Sequence, residues 1–501
     1  MLDARIHPLR SQFTLCVAAI ASALAVGAAT SAYASGGYSI TENFAGGNSS
    51  QSGFYPPDTD GSVGGGYVTE FINGYVGVYS TAGAIQKNES LSTFWSNAGV
   101  TVASGFSPGD VRIIYDTSIN RWVASSDTFV NSGSETANNQ ILLAVSATSS
   151  PLGSWRGVSV NSSPNNSSLW ADFPTLGVNG DGVFVSANMF STSTGSSSNI
   201  DVISLPLSSL ESGSTSGLNL QQVSANNHGF AVQPINNFST NTSNSTPENM
   251  YSNYASNGST DSVARTQITG SITSPTLSST QQLATTTGYS GPVSAPQTGS
   301  TITVDANDNR FSGSLYQQPA NSTSANTVWE VITVQNPNHS ALDALQWMRI
   351  DPVNNTVVAS GLLSSSTLSL YDGSIAVTAD GHIVVGLSAS SSTTDPGAYA
   401  YIGTYDANTG TTSFTNLVQL IGGTAPVTAG GSSTTPARFG DYSTTVLDPN
   451  NPDAVWTFNE FGGGNKLWNT QISQITFTPE PATLAMLAVG GIGLLTARRR
   501  R

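Results

Sequence analysis

The body of this chain is written in short runs of alternating apolar and polar residues, each broken by a turn rich in Asp, Asn or Gly. Alternation with a period of two marks a half-buried strand, and two such runs around a polar turn predict a hairpin. The clearest copies are RIIYDTSINRWVASS from Arg112, TLGVNGDGVFVSAN from Thr175, ITVDANDNRFSGSL from Ile302, IAVTADGHIVVGLS from Ile375 and TVLDPNNPDAVWTFNEF from Thr445. Weaker copies start at Gly64 and Phe230, and further strands such as NQILLAVSAT follow most copies. No convincing amphipathic helix interrupts them.

The copies recur roughly every 45 to 75 residues, on the order of one antiparallel sheet per repeat. Such a series of sheets buries its hydrophobic faces by stacking sheet on sheet around an axis. The expected fold is therefore all-β, a β-propeller of seven four-stranded blades, with six or eight as neighbouring counts. The alternative is two stacked β-sandwich domains, which would lack the repeated hairpin. Long inserts such as STNTSNSTPENMYSNYASNGSTDS read as solvated loops.

Composition narrows the chemistry. With 38% hydrophobic residues and 8 tryptophans among 501 residues, the chain has the material for a core. Of its 15 Lys and Arg, Arg5, Arg10 and the four closing arginines lie in terminal segments, which leaves 9 for everything between, against a formal net charge of -15. Nucleic acid is excluded as a partner, because phosphate neutralisation needs clustered cations. The single cysteine, Cys16, lies in the N-terminal apolar run. The body thus has no disulfide, no thiolate nucleophile and no Cys-based metal site.

Both ends break the pattern. At the N-terminus, Arg5 and Arg10 precede an apolar core from Phe13 to about Ala29, and Ala32 and Ala34 flank Tyr33. This is the layout of a secretory signal peptide over 1–34, cut after Ala34. At the C-terminus, Pro479, Glu480 and Pro481 lead into an apolar stretch from Ala482 to Ala497, closed by Arg498, Arg499, Arg500 and Arg501. That stretch is short for the roughly 20 residues of a spanning helix, and snorkelling arginines make up part of the deficit. Arginines favour the cytoplasmic side, so they would hold the tail in the inner membrane with the body outside. The expected division is 1–34 signal peptide, 35–60 a segment leading into the propeller, 61–478 propeller, and 479–501 sorting signal with a transmembrane helix.

The order Pro-Glu-Pro, apolar helix, arginine cluster resembles the PEP-CTERM sorting signal of Gram-negative bacteria that make exopolysaccharide. The resemblance implies recognition by an exosortase membrane protease, removal of the helix and delivery to the cell surface or extracellular matrix. The segments GDVRIIYDTSINRWVAS, LLAVSATSSPLGSW, DFPTLGVNGDGVFVSANMF and RFGDYSTTVLDPNNPDAVWTFNEF are loosely similar to secreted bacterial sialidase-like propellers, which implies fold more than activity.

Candidate chemistry is sparse. A glycosidase needs two carboxylates about 5 to 10 Å apart; Asp110, Asp172, Asp441 and Glu460 sit at strand ends that converge if blades surround an axis. Sialidase-like chemistry would add Arg112, Arg310 and Arg438 as carboxylate-gripping forks, although the Ser-x-Asp-x-Gly-x-x-Trp turns of that family are missing. Closely spaced oxygens at Asp58, at Asp305 and Asp308, and at Asp448 and Asp453 offer a weak calcium pattern, none ending in the bidentate glutamate of a full loop. No other cofactor is implied. His228, His339 and His382 fall in separate repeats, without metal spacing. Trp155, Trp170, Trp456 and Trp468 are candidates for sugar stacking or for packing between blades.

The first expectation is a non-enzymatic surface or matrix protein, associated with biofilm exopolysaccharide or surface proteins. The alternative is an exported glycan hydrolase or lyase using carboxylates at the propeller axis. Geometry discriminates between them: two of the four carboxylates facing one another beside Arg112, Arg310 or Arg438 favour the second.

Overall fold

The computed structural model describes residues 37–130, 139–166, 168–238, 243–253 and 260–478. Ala32, Ala34, Pro479, Glu480, Pro481 and Arg498 to Arg501 lie outside the described residues. The chain divides into a body, Glu42–Phe477, and a small unit holding both termini. In that unit, Thr478 N–H donates to the Gly37 carbonyl at 2.7 Å.

The body is a seven-bladed β-propeller. Blade 1 holds Asp60–Gly64, Tyr67–Ile72, Tyr75–Ser80 and Ile85–Ser90. The innermost strands of blades 2, 3 and 4 are Phe106–Asp116, Leu169–Asn179 and Gln233–Asn236. Blade 6 begins at Ser369–Val377 and blade 7 at Thr444–Asp448. Blade 7 takes its fourth strand from the N-terminal side: Tyr38–Asn48, of which Glu42 onward belongs to the body, lies outside Trp468–Phe477. The ring is thus closed by strands far apart in sequence, and residues 42–60 are part of the body.

The hairpins expected from Arg112, Thr175, Ile375 and Thr445 all form. The one expected from Ile302 does not. Residues 302–314 form a crossing segment in which Val304 bridges Ala295 and Ala437. Blade 5 starts afterwards with the two-residue strand Leu315–Tyr316, parallel to the inner strand of blade 4, then Val328–Gln335, Asp343–Asp351 and Thr356–Leu363. The sequence misleads there because its Asp/Asn turn serves a loop whose alternating apolar residues pack against that loop's own neighbours.

The core lies between adjacent sheets. Ile114, Val123, Ile141 and Leu143 of blade 2 meet Leu176, Val178, Val183 and Val185 of blade 3. Val63, Val68 and Tyr79 of blade 1 meet Val446, Trp456 and Phe458 of blade 7. The sheets come very close at Gly64, where a Cβ would fall 2.1 Å from the Tyr115 ring. Both faces of these sheets are covered, so alternation gives way to consecutive buried residues in the strands, as in the runs IIY and FVS.

Candidate active site at the channel mouth

The inner strands start at one mouth of the central channel, and several start irregularly. Register slips between Gly109 and Arg112, between Asp172 and Thr175, and between Tyr371 and Ser374. Within these bulges Asp110, Phe173 and Asp372 have φ of 46°, 55° and 48°, and Asp58 ahead of blade 1 has φ of 50°. A bulge adds a residue to one strand and re-aims its side chain. Here the repeated device gathers carboxylates from different blades at one mouth.

Asp110, Asp127 and Asp172 each place a carboxylate oxygen within 4.8 Å of the others. Asp110 is also anchored: Phe173 N–H donates to its Oδ2 at 3.0 Å, and its own N–H donates to Asn73 Oδ1 at 2.8 Å. Asp58 is held in the same way, accepting from Asp441 N–H at 2.9 Å and Asn73 Nδ2 at 2.7 Å. Ala231 N–H donates to Asn188 Oδ1 at 2.8 Å. A polar belt therefore ties the start of each of these blades to the next. Asp172 is surrounded by charges, those of Asp110, Asp441, Arg310 and Arg438, and among the described residues no donor is bonded to its carboxylate.

Burial and mutual repulsion make these groups hard to ionise. Burial pushes Asp172 up to about 8, helped by the charges of Asp110 and Asp441 and opposed by Arg310 and Arg438. Burial raises Asp110 as well, with Asp441 adding to the effect. Asp58 is raised well above the usual carboxylate range by burial, then by Asp441 and Asp110. Coupled carboxylates of this kind share protons, so the group titrates as a unit.

Two arginines complete the mouth. Arg310 bonds Asp308 bidentately at 2.8 and 2.9 Å, with its guanidinium 4.5 Å from the Phe173 ring and 5.1 Å from the Phe230 ring. Arg438 bonds Asp441 at 2.8 Å and reaches Asp305 at 3.4 Å. The crossing segment is what delivers Asp305, Asp308 and Arg310 here.

The structure thus brings together Asp110, Asp172, Asp441, Arg310 and Arg438, all partly exposed. It sets Arg112 and Glu460 behind them, fully buried. The Arg112 guanidinium lies 3.5 Å from the Tyr442 ring and donates to the carbonyls of Pro174 and Ser312. Glu460 accepts from Thr59 N–H and is pushed up to about 8 by burial. Sequence reasoning missed Asp127 and Asp372. Asp127 is the register partner of Gly109, so pairing the hairpin outward from its turn would have pointed to it.

The other candidates are occupied elsewhere. Asp448 accepts from Trp456 Nε1 and Gln474 Nε2, and Asp453 N–H donates to Asn451 Oδ1 within the same turn. His228 hydrogen-bonds Thr266, His382 stacks on Phe477 with centroids 4.2 Å apart, and His339 lies in a turn. Trp155, Trp456 and Trp468 are buried, whereas Trp170 is partly exposed and stacked on Phe190.

A family model for the PEP-CTERM protein-sorting motif matches residues 477–501. The chain ends in a PEP-CTERM sorting motif. The motif implies export, membrane-linked sorting and processing by an exosortase, and among the described residues no helix is long and apolar enough to cross a membrane. No curated protein matches the chain. Among solved structures, it is similar to a protein of unknown function from Dyadobacter fermentans, at 10% identity over 75% of this chain and 97% of that one, with a TM-score of 0.33. It is also similar to an α-L-arabinofuranosidase of Fusarium graminearum, at 8% identity over 87% and 98% with a TM-score of 0.40. An α-L-arabinanase of Penicillium chrysogenum gives 12% over 74% and 97%, with a TM-score of 0.37. At this similarity the neighbours bear on neither activity nor substrate.

Proposed function

We propose that this exported propeller cleaves glycosidic bonds at the carboxylate mouth. The observation that carries the reading is the pairing of Asp172, protonated up to about pH 8, with Asp110 less than 4.8 Å away. Glycoside cleavage requires only two carboxylates, one protonated and one ionised, and neighbouring acids that share protons supply that division. Asp172 donates its proton to the departing oxygen while Asp110, fixed by Phe173 N–H, attacks the anomeric carbon. The bond to the leaving group breaks as a glycosyl ester forms. Water then attacks the ester, Asp172 takes a proton from that water, and the sugar leaves with Asp110 restored as a carboxylate. With carboxylate oxygens within 4.8 Å of one another, the pair leaves no room for the water that the wider inverting arrangement places between its acids, so the proposed route is the retaining one.

The test incubates the mature protein with the host exopolysaccharide and a polysaccharide panel and follows new reducing ends, with product configuration read by NMR. Release with retention, lost about 1,000-fold or more in Asp172→Asn, supports the reading. Release unaffected by that substitution, or no release from any substrate, overturns it. The second reading, a matrix or surface binding protein, is favoured by the belt, since anchoring blades gives Asp58 and Asp110 a purely structural use. In that case polysaccharide is bound, uncleaved, by the parent and Asp172→Asn alike.

A further inference from the structure

The channel has a second mouth, where the inner strands end, and its chemistry is the opposite of the first. A cavity of about 620 Å³ opens there, with Val63, Tyr115, Phe238, Tyr316, Val377 and Leu447 drawn from six different structural segments around the axis. That volume lies within the roughly 300–1,000 Å³ of small-molecule sites, which are mostly apolar with a few placed polar groups. Phe238 and Tyr316 face one another at 5.8 Å between centroids. The one carboxylate in the lining, Asp448, is already committed to Trp456 Nε1, Gln474 Nε2 and Asn450 N–H, so the cavity offers no spare charge to a ligand.

Gln318 is only 4% exposed and its Oε1 is enclosed by protein, so the residue belongs to the frame of the wall rather than to the surface a ligand touches. The residue is fixed at both ends of its backbone: its N–H donates to the Thr327 carbonyl at 2.8 Å, and its carbonyl accepts from Asn326 N–H at 3.1 Å. Asn237, Gln317 and Asn326 add neutral amides that both donate and accept.

We propose that this far mouth binds a neutral saccharide end of one or two residues. A pyranose is uncharged, lays a C–H face on aromatic rings, and carries hydroxyls that donate to and accept from the amides of Asn237, Gln317 and Asn326. A charged sugar finds no counter-ion here, and a purely apolar ligand strips water from the amides of Asn237, Gln317 and Asn326 without replacing it. The site is separate from the proposed cleavage site: Tyr115 lies at the end of the strand Phe106–Asp116 that carries Asp110, and neither Asp110 nor Asp172 lines the cavity.

Saturation-transfer NMR and calorimetry on the mature protein, with cellobiose, lactose and maltose as probes and a glucuronate disaccharide as the charged control, test this. Binding of a neutral probe, weakened about fivefold or more by Gln317→Leu and about tenfold by Phe238→Ala, is expected, with no response to the glucuronate. Asp172→Asn leaves that affinity unchanged, so failure of the cleavage reading and failure of this one are read separately. Unchanged melting temperatures in both cavity variants exclude misfolding as the cause. No neutral probe bound, affinity indifferent to both substitutions, or preference for a proline-rich peptide probe overturns the proposal.

Discussion

Asp172→Asn tests the electrostatics of the mouth through stability alone, independently of any substrate. The carboxyl sits near 3.8 in an ordinary setting and is pushed up to about 8 in the fold, first by burial and then by Asp110 and Asp441. A group with a raised folded-state value contributes stability that is complete below its unfolded value and lost as pH rises through the folded value. The parent protein should therefore lose stability between about pH 4 and pH 8. Each tenfold change in proton affinity corresponds to about 1.4 kcal/mol, so the full displacement would correspond to about 6 kcal/mol for an isolated group. Proton sharing within the cluster and partial exposure reduce this to on the order of 2 kcal/mol. An amide never ionises, so Asp172→Asn should match the parent at pH 4 and exceed its stability by about 2 kcal/mol at pH 8. Urea denaturation at pH 4, 6 and 8 measures the difference directly. Equal pH slopes in the two proteins, or a variant less stable than the parent at pH 8, would refute the repulsion on which the site rests.

Other consequences follow from single contacts. Gly64→Ala places a methyl 2.1 Å from the buried Tyr115 ring, so blades 1 and 2 must separate, and thermal unfolding should show a loss of about 2 kcal/mol or more. Trp456→Phe removes the 3.0 Å bond to Asp448 Oδ2 inside the core between blades 7 and 1, with an expected loss of about 1–3 kcal/mol in a denaturant titration. Replacing Pro479, Glu480 and Pro481 with alanine should leave the chain unprocessed in the membrane fraction, detected as a larger mass than that of the parent from the same cells.

The propeller was legible because period-two alternation and turn chemistry act locally, and a hairpin such as Arg112 to Ser126 needs no distant information to form. The exception at Ile302 obeys the same physics. Val304 alternates as a strand residue should, yet its partners are Ala295 and Ala437, and nothing in the local pattern distinguishes those from a returning strand. Ring closure was illegible for a related reason, since the Tyr38–Asn48 strand pairs with residues more than 400 positions away.

The candidate site was legible as residue types at strand ends and illegible as roles. Asp110 and Asp172 both come from the start of an inner strand, but a bulge turns one into an anchored acceptor for Phe173 N–H and leaves the other among charges. Arg112 and Arg310 differ in the same way. Arg112 is the residue at which the register resumes after the bulge, and it lies beneath Tyr442, whereas Arg310 rides on the crossing segment and stays at the mouth. A bulge costs ladder hydrogen bonds, and several carboxylates gathered at one mouth cost more in repulsion. The fold tolerates both because each anchored carboxylate also ties one blade to the next, so the belt that closes the ring keeps Asp172 in its strained company.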